Sequence, residues 1–160
     1  MILITKNIIY INIVEVRQLV LDWIGVFRLV LAALLAALIG YDREKQNKAA
    51  GIRTNVIVAV ISCVIMILSV EVAKTGTGVG GVEGDPARLA AQVVSGVGFL
   101  GAGTIIKQED KVEGLTTAAS LWGVAGLGLA VGYGLYDISI AAAFIIFLSL
   151  RVAPSVKKRV

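Results

Sequence analysis

Residues 114–150 read GLTTAASLWGVAGLGLAVGYGLYDISIAAAFIIFLSL, and Asp137 is the single charge in the stretch. One helix from Leu115 to Leu150 would be about 54 Å long, nearly twice the roughly 30 Å hydrocarbon core of a bilayer. Within it, residues 132–137 (Gly-Tyr-Gly-Leu-Tyr-Asp) supply two glycines, two tyrosines and a charge, which suits a tight turn at a water boundary. The stretch therefore reads as two helices folded back on each other, Gly114–Tyr136 and Ile138–Leu150.

Working outward from this hairpin, three more runs are long enough to cross. Ile24–Gly40 is interrupted only by Arg28, Thr54–Val70 carries no charge, and Leu89–Ile106 is a further uncharged run containing Gln92 and Ser95. The fold expected is all-α, a polytopic bundle of five transmembrane helices. Composition agrees: 58% of the 160 residues are hydrophobic, 16% are charged, and mean hydropathy is +0.89, against roughly 45–50% apolar and about 25% charged in an ordinary soluble domain. With no histidine and a single cysteine, Cys63, the chain cannot build a Ser-His-Asp triad, a structural zinc cluster or an intrachain disulfide. The net charge of +4 sits beside apolar runs rather than in one stripe, so a lipid bilayer explains it better than nucleic acid.

Basic residues set the orientation. Arg43, Lys45, Lys48, Arg53, Lys107, Lys111, Arg151, Lys157, Lys158 and Arg159 fall on one side, and only Lys6, Arg17, Lys74 and Arg88 on the other. The positive-inside rule then places the N-terminus outside and the C-terminus inside, as an odd number of spans requires. Residues 1–23 read as an N-terminal segment whose apolar residues Val16, Leu19, Val20, Trp23 and Phe27, at helical spacing, form an interfacial amphipathic helix feeding the first span, with residues 1–13 as its flexible part. Residues 24–153 form the transmembrane domain and 154–160 a basic cytoplasmic tail.

Fifteen of the eighteen glycines lie between Gly76 and Gly134. Those at 76–84 mark an exposed loop. Gly96, Gly98, Gly101 and Gly103, with Gly128 and Gly132, lie inside spans, where small residues let backbones approach closely in lipid. The direct reading is that spans three and four pack on each other; the alternative is that span three unwinds around a ligand. Gly96-x-Gly-x-x-Gly101 matches the dinucleotide fingerprint, but without strand-turn-helix context it is rejected.

Polar groups at membrane depth are functional candidates by default. Arg28 either snorkels to the outer interface or turns inward to pair with Asp85 or Asp137. Asp85-Pro86 has the form of a helix start, with Asp85 as N-cap. Asp85, Arg88, Gln92 and Ser95 recur at one-turn spacing and, with Arg28, form a candidate polar pocket. Magnesium is a weak candidate ligand there, since it takes carboxylate and water oxygens and only Asp85 with Glu83 or Asp137 would supply them. On the cytoplasmic side Asp42, Arg43, Glu44, Arg53 and Asn55 flank the first loop, with Arg43 or Arg53 available to Asp42, Glu44 or Glu113. Thr116, Thr117, Ser120 and Trp122 open span four. Cys63 reads as a small core hydrophobe.

Three blocks carry a resemblance: residues 28–44 (RLVLAALLAALIGYDRE) with Ala50-Gly-Ile-Arg-Thr54, residues 85–104 (DPARLAAQVVSGVGFLGAGT), and residues 114–122 (GLTTAASLW). In order and spacing the chain resembles the MgtC/SapB family of bacterial inner-membrane proteins over residues 24–150. The resemblance implies five spans in the inner membrane and links to magnesium limitation, virulence and survival within host cells. It also implies regulation of a partner such as the F-type ATP synthase or a transporter, rather than enzymatic activity. The motif positions it carries over are Arg28, Glu44, Arg53, Asp85, Arg88, Gln92, Thr116, Thr117 and Trp122. Many members continue into a cytoplasmic ACT-like domain, whereas this sequence ends at Val160 and is read as the membrane domain alone. No cofactor is expected, and a homo-oligomer is. Were the protein a magnesium or small-ion transporter, an oligomer would be needed, because five spans hold no complete inverted repeat.

Overall fold

A computed structural model describes the backbone of residues 2–74, 85–109 and 111–157, and the side chains of residues 23–74, 85–109 and 111–152. The described chain forms helices α1 (Ile2–Lys45), α2 (Ile52–Lys74), α3 (Ala87–Ala102), α4 (Leu115–Tyr133) and α5 (Tyr136–Lys157), with a small hairpin of β1 (Ile106–Gln108) and β2 (Lys111–Glu113) between α3 and α4. Trp23–Lys45, Ile52–Lys74 and Leu115–Tyr133 are long and apolar enough to cross a membrane. The glycine-rich segment 75–84, with Glu83, lies outside the described residues, as do the side chains of Val16, Leu19 and Val20; Trp23 and Phe27, read as part of the same face, are exposed.

The exterior shows what solvent the fold is made for. On α1, Val26, Val30, Leu34 and Leu38 recur every fourth residue and are exposed; on α2, Ile57, Ile61, Val64 and Leu68 recur every third or fourth residue and are exposed too. Large apolar stripes of this kind on the outside of a bundle belong against lipid. The interior is rich in small or hydroxylated residues: Ala32, Ala36, Ala59, Ser62, Cys63, Ala125 and Ser139 are all buried, beside Ile39, Leu121, Val124 and Val131. Buried Ser62 and Ser139 donate back to the carbonyls of Val58 and Leu135 four residues earlier, so their hydroxyls need no partner from outside the helix.

The hairpin of α4 and α5 is present. Gly134 takes φ 107°, a left-handed conformation that closes α4 and that a residue with a Cβ would adopt only under strain. Its N–H and that of Leu135 turn back onto the Ala130 carbonyl, so α5 starts two residues later, at Tyr136.

Helix α1 continues unbroken from Ile2 through residue 23 to Lys45, about 66 Å of helix, so the N-terminal segment is helical and feeds directly into the first span. Two details depart from the reading of the sequence. Helix α3 stops at Ala102 rather than continuing to Ile106; at 16 residues it is about 24 Å long, shorter than the hydrocarbon core. The all-α description also omits the antiparallel pair Ile106↔Glu113, Lys107↔Val112 and Gln108↔Lys111, held at its base by Gly114 with φ 88°. A Cβ at Gly114 would run into the Thr104 carbonyl oxygen.

The glycines divide by neighbour. Helix α4 lies on α2: a Cβ at Gly132 would meet the Cys63 carbonyl oxygen at 2.6 Å, and one at Gly128 would collide with that of Ala59. Helix α3 meets α4 at Gly101, which packs on Ala118, and Gly103 ends the helix. Gly96 and Gly98 have open space where a side chain would stand. Spans three and four do pack on each other, but the α4 glycines serve α2. Gly126 also faces open space, so Gly126→Ala should leave the fold intact and stabilise it by up to about 1 kcal/mol through helix propensity. Unfolding in detergent micelles followed by circular dichroism measures this; a clear loss of stability would contradict the packing described.

Candidate functional site

Four helix ends converge on one buried polar cluster. Asp42 and Arg43, in the last turn of α1, are each only 3% exposed, a rare condition for charged residues. Asp42 accepts a 3.0 Å hydrogen bond from Arg151 Nε on α5 and one of 2.6 Å from Gln46 Nε2. Arg43 Nη2 donates to Thr117 Oγ1 on α4 at 2.9 Å, and Ser120 Oγ donates to the Thr117 carbonyl. Asn55, fully buried at the start of α2, donates through Nδ2 to the carbonyls of Ala50 and Gly51 and so holds the α1–α2 turn. Glu44 lies at the surface, where its Oε2 accepts the Ile52 N–H at 2.9 Å and caps the first turn of α2.

The cluster is close to saturated. Among the described residues only Arg43 Nε and Asn55 Oδ1 are buried without a partner, one a donor and the other an acceptor. Water, which both accepts and donates, can satisfy either atom. A divalent cation does not fit: the buried carboxylate of Asp42 already faces Arg151, with Arg43 next in the chain. Among the described residues no three Asp, Glu, Cys or His side chains converge.

Of the cytoplasmic-side residues singled out in the sequence, Thr117 enters this cluster and Glu44 caps its neighbouring helix. Arg53, Thr116 and Trp122 are exposed. The partners differ from those expected: Asp42 takes Arg151 rather than Arg43 or Arg53, and Glu44 takes a backbone N–H rather than an arginine. The residues involved are separated by 74 and 109 positions, and no local spacing signals such pairings.

Arg28 is not with the rest of its proposed pocket. Its Nε donates to Tyr136 Oη at 2.9 Å and its Nη1 to the Gly132 carbonyl at 2.8 Å, so it bolts α1 to the α4–α5 turn rather than pairing with Asp85 or Asp137. The Tyr136 ring, edge-on to Phe27 with centroids 5.6 Å apart, supports the same junction. Helices α1 and α3 are not packing neighbours; α3 lies on α2 and α4. Asp85, Arg88, Gln92 and Ser95 do share one face of α3, and all four are exposed. Asp85 Oδ1 accepts the Ala87 N–H at 2.8 Å, the capping role its place before Pro86 suggested.

An apolar groove of about 320 Å³ opens between α3 and α4, with Val97, Gly101, Ile105, Ala118 and Trp122 among its walls. A lipid-facing apolar exterior, a core rich in small residues and, Arg28 apart, charged side chains gathered near the helix ends among the described residues together define a polytopic helical membrane protein. Residues 29–159 match the model of the MgtC family, and the chain belongs to that family. It is 42% identical to protein SapB of Bacillus subtilis over 83% of its own length, 40% to the putative magnesium transporter YhiD of Escherichia coli over 79%, and 41% to protein MgtC of Salmonella typhimurium over 82%. It spans 58%, 59% and 52% of those relatives respectively. No solved structure matches it.

Proposed function

We propose that this chain is a non-enzymatic protein of the bacterial inner membrane, threaded five times with its N-terminus outside. It acts in magnesium homeostasis, and by family resemblance in virulence, by binding and regulating a partner membrane complex such as the F-type ATP synthase or a transporter. Family membership and the magnesium-related name of the relative YhiD support the physiological setting. The observation that carries the regulatory reading is the direct contact of α4 with the α2 backbone at Gly128 and Gly132, above a helix-end cluster in which Asp42 is already matched by Arg151. Helices in such contact leave no room between them for a hydrated cation, and the arginines at the cluster repel one.

The second reading, a magnesium or small-ion transporter working as an oligomer, draws on that relative's name and on the unpaired buried Asn55 Oδ1, an oxygen of the kind hard cations accept. Two measurements separate the readings. Crosslinking in native membranes is expected to return a subunit of a partner complex, and vesicles from a deletion strain to show altered ATP-driven proton pumping. Self-contacts alone with unchanged pumping would overturn regulation of the ATP synthase, whereas magnesium flux by purified protein in liposomes, above that of empty liposomes, would establish transport.

A further inference from the structure

Helix α3 carries a polar face that no described residue covers. At about 100° per residue, Asp85, Arg88, Gln92, Ser95, Gly96 and Phe99 fall within an arc of about 100°. All six are exposed, Phe99 to 83%, while the buried residues Val93, Val97 and Gly101 lie on the opposite side of the helix. Among the described residues, no hydrogen bond or ion pair reaches the side chains of Arg88, Gln92 or Ser95. Gln92 and Ser95 stand about 10 and 15 Å along the helix from Asp85, at the depth of the neighbouring apolar stripe of α2. An amide and a hydroxyl facing hydrocarbon there lack the partners that polar groups in lipid find across helix interfaces.

We propose that this face docks a second copy of the chain, α3 against α3. Copies inserted in one membrane share an orientation, so a twofold axis along the membrane normal sets the two helices parallel and each residue near its own mate. The face suits that arrangement position by position. Gln92 and Ser95 each both donate and accept, so each can pair with its own equivalent. Asp85 and Arg88 lie one turn apart with opposite charge, so each arginine meets the aspartate of the other copy, twice over. Gly96, with open space at its Cβ position, lets the backbones approach, and Phe99 gains cover at the inner end. A foreign partner would need a matching pattern; a second copy has it by symmetry.

The test uses the full chain in native membranes with Cys63→Ala as background and a short bismaleimide as crosslinker. Gln92→Cys, Ser95→Cys and Phe99→Cys are expected to give homodimer adducts. Their yield should be on the order of tenfold above that of Val94→Cys and Leu100→Cys, which are exposed on the same helix but outside the arc. Adding Arg88→Glu to Ser95→Cys should lower the adduct by a similar factor, because two acids then face each other. Equal yields at all five positions, no adduct at any, or adducts only to an unlike protein would each overturn the proposal.

Discussion

Gly128→Ala is expected to cost about 3 kcal/mol of stability, and Gly128→Leu to prevent accumulation of folded protein in the membrane. The new Cβ collides with the Ala59 carbonyl oxygen and comes within 2.9 Å of Ser62 Cβ. Backbone cannot swing aside as a long side chain does, so α4 must move away from α2 along the contact that also includes Gly132. Separation would open the buried layer of Val58, Ala59, Cys63, Val124 and Val131. Gly126→Ala, two residues away on the same helix, is the internal comparison. If both variants unfold at the same denaturant concentration, the α2–α4 contact is not as described.

Asp42→Ala is expected to cost roughly 3–5 kcal/mol, the usual consequence of leaving a buried charge without its compensation. Arg43, 3% exposed, would keep among the described residues only a threonine hydroxyl as side-chain partner. Arg151→Ala should cost less, about 1–2 kcal/mol, because the Arg151 side chain is 53% exposed and Asp42 keeps Gln46 and the neighbouring Arg43. The two changes share one ion pair, so the double variant should lose less than the sum of the singles. Chemical unfolding of the four proteins in one detergent checks the order. Equal losses for the two single variants would mean that Asp42 is not held in a buried site.

Much of the fold is visible in residue order. Thr54–Val70 and Gly114–Tyr136 mark α2 and α4 to within a few positions because an uncharged run of that length has only one solvent to occupy. The turn at residues 132–137 reads correctly for a local reason, since glycine at a left-handed position is chemistry of the chain itself. The β1–β2 hairpin escapes because strands of three residues are shorter than any periodicity can register. The end of α3 at Ala102 escapes because Leu100 and Ile105 on either side of it are equally apolar.

The site is less legible. Asp42, Arg43, Glu44, Asn55 and Thr117 stand out as polar residues at span ends, but their partners do not. Arg28 reads as a group in search of a carboxylate, whereas it finds a tyrosine hydroxyl and a backbone carbonyl at the α4–α5 turn. What residue order alone determined is the solvent: apolar length and the placement of charge require helices in lipid, because each apolar residue gains by leaving water wherever its neighbours lie. Tertiary structure alone decided which polar groups are enclosed and which look outward, so that Asp42 is sealed against Arg151 while Gln92 faces away from the bundle. That choice depends on which helix stands beside which, and neighbours in space are set by the fit of whole helix faces rather than by any stretch of chain.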